Sequence, residues 1–101
     1  MSADPDARDI AAAQQGDKEA FIRLIHRHDQ SLANCLSRFT RDPALLQDLR
    51  QETCLQAYRS ISGYKHQGPF SGWLWRIALR VGYRFWNQRL KENLARSAYL
   101  E

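Results

Sequence analysis

The sequence predicts an all-α fold, a compact bundle of about four helices. Apolar residues recur at three- and four-residue steps in each long segment. No segment alternates with period two, so no sheet is expected. Capping and stopping signals at Gly16-Asp17, Asp42-Pro43 and the turn-rich stretch before Ser71 cut the chain into pieces of helical length.

The first helix is expected from about Asp6 to Gln15, with Gly16 ending it. Asp17 then stands where an N-cap accepts backbone N–H bonds, with Ala20 rather than a capping-box Glu three residues on. The second helix carries Phe21, Leu24, Ile25, His28, Leu32 and Leu36 on one stripe and is expected to end near Phe39. Asp42-Pro43 opens the third: Asp as cap, Pro at the first helical position, where its missing N–H does no harm. It runs to about Ser60 and buries Leu45, Leu46, Leu49, Thr53, Ala57 and Ile61. Ser62 to Pro69 is rich in turn residues. Ser71 is expected to cap the last helix, which continues at least to Lys91. That helix carries two apolar stripes, Leu74, Ile77, Ala78, Val81 and Phe85 beside Trp75, Leu79, Trp86 and Leu90, so burial on most sides is expected. The third and last helices, with complementary stripes, are expected to pack together.

A chain of 101 residues fits one domain, expected over 1–99 with its core at about 10–91. Leu100-Glu101 reads as a cloning scar and the chain as a fragment. Charged residues at 26% and apolar residues at 44% indicate a globular chain. No stretch approaches the roughly 20 apolar residues of a membrane span, so no membrane contact is expected. Asp4, Asp6 and Asp9 are incompatible with a signal peptide. Cys35 and Cys54 lack metal or redox spacing and read as reduced thiols of a cytoplasmic protein. His26 and His28, two apart on a helix, face different ways. This argues against a metal-dependent hydrolase built on them and Asp29. No cofactor, metal or catalytic residue is expected.

Charge is uneven. Residues 1–50 hold seven Lys/Arg and eight Asp/Glu, while residues 51–101 hold eight and three. Thr53 to Lys91 contains seven basic residues and no acidic one. A basic half beside a balanced half points to a polyanionic partner. On the last helix the strip left between the apolar stripes holds Trp73, Arg76, Arg80, Arg84, Asn87 and Lys91. Arginines at this spacing follow a phosphate backbone, and an aromatic ring beside them stacks on unpaired bases. The preceding loop, Tyr64, Lys65, His66 and Gln67, offers a ring, a charge and hydrogen-bonding edges for reading an unstacked base. The third helix presents Asp48, Gln51, Glu52, Leu55 and Arg59 opposite its apolar stripe, and a Leu ringed by polar groups can anchor a protein contact.

The run from Asp48 to Tyr58, DLRQETCLQAY, and the run from Phe70 to Ala78, FSGWLWRIA, resemble region 2 of the extracytoplasmic-function sigma factors. That family reads D-L-x-Q-E-x-F-L-x-A-W, a short loop, then F-x-x-W-L-x-R-I-A. Gly16 to Phe21, GDKEAF, is similar to its G-D-x-x-A-F entry motif. The similarity covers roughly Ile10 to Arg89.

The resemblance implies that Asp48, Gln51, Glu52 and Leu55 dock on the clamp helices of the polymerase β′ subunit. It implies that Tyr64 through Gln67 capture a flipped base of the −10 promoter element on the non-template strand. The last helix would contact the edge of the melted region, and an anti-sigma factor is an implied partner. Three positions depart from the pattern. Cys54 stands where Phe is frequent, Arg80 where Asn is usual and Arg84 where Asp is frequent. A base-reading amide thus becomes a long cation suited to phosphate or guanine. The family's second domain, region 4, which reads the −35 element, is absent from this chain. The competing reading is a helical adaptor that binds polymerase or a regulator without DNA.

Overall fold

The computed structural model describes residues 4–100, with side chains through residue 98. Five α-helices follow one another among the described residues: α1 (Pro5–Gln14), α2 (Lys18–Arg27), α3 (Asp29–Leu36), α4 (Pro43–Ser60) and α5 (Phe70–Leu100). A 3₁₀ turn, Ile61–Gly63, extends α4, and no strand occurs among the described residues.

Local chemistry sets the boundaries. Asp4 Oδ1 accepts from the Asp6 N–H at 2.9 Å, so α1 starts at Pro5, one residue before the expected Asp6. Gly16, at φ +98°, ends that turn in a conformation only glycine adopts freely. Asp17 caps α2 through the Ala20 N–H at 3.1 Å, and Asp42 caps α4 through the Ala44 N–H at 2.9 Å.

Two expectations need correcting. The stretch read as one helix from Asp17 to Phe39 is two, broken at His28 (φ −101°, ψ 8°). The His28 ring pairs with Asp6 Oδ2 at 2.7 Å and packs on Phe70 at 5.2 Å. Those partners lie on α1 and α5, so tertiary contacts hold the residue that leaves helical geometry. Ser71 does not cap α5, because the helix already begins at Phe70 and Ser71 lies in its first turn.

Helix α1 packs on α2, α4 on α5, α3 on both α4 and α5, and the 3₁₀ turn on α1. Leu24, Leu32, Leu36, Leu74 and Ile77 form the driest part of the core. Buried Thr53 donates its hydroxyl to the Leu49 carbonyl at 2.8 Å, so no polar group is stranded there. Trp75 Nε1 donates to Ser31 Oγ at 2.8 Å and lies under the Arg38 guanidinium, pinning α5 to α3. Gly82 faces the Phe39 ring so closely that a Cβ would overlap it.

The second apolar stripe of α5 is only half used. Trp75 and Leu79 pack against the core, but Trp86 and Leu90 are 53% and 49% exposed. Helix α5 outruns its neighbours, and from Trp86 to Ala98 every residue is exposed. The molecule measures 64 × 23 × 23 Å with a radius of gyration of 16.3 Å, against about 13 Å for a compact chain of this length.

Cys35 is buried and Cys54 half-buried, and neither is in a disulfide. Burial pushes both thiols above the usual range, Arg38 and Arg50 opposing it respectively. Among the described residues no helix is long and apolar enough to cross a membrane, and no group of His, Cys, Asp and Glu is placed to hold a metal. The expected tail at Leu100-Glu101 falls largely outside the description: Glu101 and the Leu100 side chain are not described.

Candidate nucleic-acid interface

Between the 3₁₀ turn and α5 the chain folds a short loop over its own tyrosine. Tyr64 is 6% exposed and its hydroxyl donates to the Gly68 carbonyl at 2.9 Å. Its ring meets Phe70 edge-on at 5.8 Å and lies 5.2 Å from Trp73. Tyr64 is therefore the post on which the loop is wound, while Lys65, His66 and Gln67 stand exposed around it. His66 takes φ +59° and Gly68 φ +86°, two left-handed residues that give the loop its tight curl.

The curl sorts the loop residues to two sides. Tyr64, Lys65 and Gln67 join Gly63, Trp73 and Arg76 in lining a cleft of about 180 Å³. The His66 ring packs at a tilt against Tyr64, 4.8 Å between centroids, and turns to the other side. There it lines a cavity of about 280 Å³ with Asp6, His28 and Phe70. The structure thus brings five expected contact residues, Tyr64, Lys65, Gln67, Trp73 and Arg76, to one cleft and sets His66 apart from them.

From that cleft the α5 face continues without interruption. Trp73, Arg76, Leu79 and Arg80 line the next hollow, and Arg80, Arg84, Asn87 and Lys91 share a third. Trp73 is half-buried, while Arg76, Arg80, Arg84, Asn87 and Lys91 are exposed. The span from Trp73 to Asn87 is about 21 Å at the helical rise of 1.5 Å per residue.

The arginines of this face differ from several in the first half in having no ion pair among the described residues. Arg23 and Arg27 bind Asp9 at 3.2 and 2.6 Å, Arg27 also binds Asp6 at 3.0 Å, and Arg50 pairs with Asp29. These pairs tie α1 to α2 and α3 to α4, and they occupy three of the seven Lys/Arg of the first half. Arg76, Arg80 and Arg84 have no carboxylate partner among the described residues. Asp9 is 5% exposed, and its carboxyl is held below the usual range, chiefly by the Arg27 guanidinium and also by Arg23, against the effect of burial. The same contact with Asp9 raises Arg27 further.

A second face lies on α4. Asp48, Gln51, Glu52, Leu55 and Arg59 are all exposed, Leu55 by 44%. Gln56 donates to Glu52 Oε1 at 3.0 Å and steadies that carboxylate. Tyr58, missed in the sequence, adds a 37% exposed ring beside Leu55, its edge resting on Phe21 at 5.1 Å. The signal was present, since Tyr58 lies three residues after Leu55 and shares its side of the helix.

Gln14 was also missed. Its Nε2 donates to the carbonyls of Ile61 at 3.0 Å and Tyr64 at 2.8 Å, joining the end of α1 to the base of the loop.

Known proteins share this fold. The family model for sigma-70 region 2 matches residues 24–92. RNA polymerase sigma-H factor of Pseudomonas aeruginosa is 30% identical over 81 residues, covering 80% of this chain and 42% of that protein. The ECF RNA polymerase sigma-E factor of Haemophilus influenzae is 34% identical over 76 residues, covering 75% and 40%. The chain therefore spans about two-fifths of the length of these relatives. Among solved structures, an engineered region 2 of sigmaE in complex with GTAAAA superposes with a TM-score of 0.80 at 26% identity, over 91% of this chain and 97% of that one. CnrH in complex with the cytosolic domain of CnrY superposes with a TM-score of 0.74 at 28% identity, over 95% and 64%. The family-model match over residues 24–92 and the superposition over most of the chain agree: it belongs to the sigma-70 region 2 family.

Proposed function

We propose that this domain opens and reads the −10 promoter element as part of a transcription initiation factor, and that it binds core RNA polymerase through α4. The observation that carries the reading is the union of two features on one face. A cleft lined by loop and indole leads directly into a ladder of arginines, Arg76, Arg80 and Arg84, that are in no ion pair among the described residues. An unpaired base enters the cleft beside Trp73, and the arginines hold the phosphates of the same strand. Base–aromatic stacking of about 1–3 kcal/mol offsets the few kcal/mol needed to unstack the base. Lys65 and Gln67 supply the hydrogen-bonding edges. The chemistry is binding alone; phosphoryl transfer belongs to the polymerase.

The sigmaE neighbour solved with GTAAAA supports the nucleic-acid half of this reading. The exposed Leu55–Tyr58 pair among Gln51, Glu52 and Arg59 supports a polymerase clamp contact on α4. The neighbour held by the cytosolic domain of CnrY supports a protein regulator as a further partner.

Binding to one sequence as single strand and as duplex, across a salt series, separates this reading from a DNA-free adaptor. Tighter binding to the single strand is expected, with log affinity falling by about 2 per decade of salt for three phosphate contacts. No salt-dependent binding to either form is the adaptor's result.

A further inference from the structure

Gln14 lies at the end of α1, in a helix with no residue on the nucleic-acid face. Its amide nonetheless reaches across to donate to Ile61 O at 3.0 Å and Tyr64 O at 2.8 Å. A side-chain amide has two N–H groups, so one NH₂ serves both carbonyls. Both belong to the place where α4 and its 3₁₀ turn run out of intrahelical donors. Ile61 O also takes the Tyr64 N–H at 3.1 Å, which closes the turn. Tyr64 O belongs to the peptide that joins Tyr64 to Lys65. Fixing the plane of that peptide fixes the direction in which Lys65 and the rest of the loop depart.

The loop has few other restraints. The Tyr64 hydroxyl holds its far end at Gly68, and Lys65, His66 and Gln67 are exposed. We propose that Gln14 is a positioning residue for base discrimination: it sets the loop in the one orientation in which Lys65 and Gln67 line the cleft with Trp73 and Arg76. This rests on the reading of the loop as the base-capturing element. The α5 ladder has its own helical backbone and does not depend on Gln14. Loss of the two hydrogen bonds therefore lowers base preference and spares phosphate affinity.

The test uses the whole chain and single-stranded oligonucleotides with each base varied in turn. Four proteins are compared: wild type, Gln14→Met, Gln14→Lys, and a loop variant with Lys65, His66 and Gln67 all changed to alanine. Methionine keeps the length and bulk but cannot donate; lysine restores a donor. At the position that the loop variant flattens, Gln14→Met is expected to lower discrimination roughly threefold to tenfold, the range for lost hydrogen bonds. Its salt slope should match wild type, and Gln14→Lys should regain most of the preference. Unchanged discrimination in Gln14→Met overturns the proposal. So does a uniform loss across all oligonucleotides, or a variant that no longer folds, since the claim is of a local effect. Wild type with no base preference defeats the loop reading itself and the Gln14 proposal with it. Preference in wild type that vanishes in the loop variant but survives in Gln14→Met defeats Gln14 alone.

Discussion

Arg84 and Arg27 carry the same side chain in opposite surroundings. Arg27 is held by two carboxylates, while Arg84 stands exposed on α5 with none among the described residues. A cation already paired gains little from phosphate, whereas an unpaired one releases counterions from the strand it binds. Arg84→Ala is therefore expected to weaken every single-stranded oligonucleotide alike and to reduce the salt slope by about 0.7, measured by titration at several salt concentrations. A loss confined to one base would instead make Arg84 a base reader. The arginine ladder was legible in the sequence because helical spacing alone puts those residues on one side. Tyr64 was only half legible: an aromatic residue in a polar loop looks the same whether it stacks on a base or anchors the loop. Gln14 was not legible, because its partners lie 47 and 50 residues away and a glutamine carries no pattern.

Helix α5 depends on a missing side chain. Phe39 packs against Tyr83 edge-on at 5.2 Å and fills the space beside Gly82. Alanine at Gly82 gains about 1 kcal/mol in helix propensity, but overpacking a fitted site costs about 1–3 kcal/mol. Gly82→Ala is expected to be net destabilising in urea unfolding. The loss should shrink when Phe39→Leu is added, a non-additivity that shared contact requires. A stabilised Gly82→Ala would mean the Phe39 ring moves aside freely. The same helix carries tryptophans of unequal weight. Trp75→Ala removes a ring packed on the core and bonded to Ser31, for a loss of roughly 3 kcal/mol. Trp86→Ala, on the projecting part, should change stability by no more than about 0.5 kcal/mol. Periodicity placed both rings on one stripe correctly. It could not show that α3 ends before reaching Trp86, because the length of a neighbour is absent from a helix's own pattern. The break at His28 was hidden for a related reason: no Gly or Pro marks it, and the contacts that hold it come from α1 and α5.

The bundle as a whole is closed at its start by the Asp6, Asp9, Arg23, Arg27 and His28 network, which fastens α1 to α2. Asp9 titrates lower folded than unfolded, mainly through Arg27. Its contribution to stability is thus present above the unfolded value near 3.9 and is lost as pH falls through the lower folded value. Asp9→Asn should be less stable than wild type at neutral pH, with the gap closing in thermal melts below about pH 4. A gap that stays constant into strong acid would mean the ion pairs are not its source. Outside this network, Arg76, Arg80 and Arg84 stand on α5 beside the wound loop with no carboxylate partner among the described residues. The central claim, that the loop and α5 cleft captures an unpaired base, is tested most directly by equilibrium binding of the wild-type chain to single-stranded oligonucleotides, each position replaced in turn by the other three bases. Strong preference at one or a few positions is expected, removed by changing Lys65, His66 and Gln67 to alanine while most of the salt slope remains. Equal affinity for all bases at every position, or preference that survives in the loop variant, would contradict that claim.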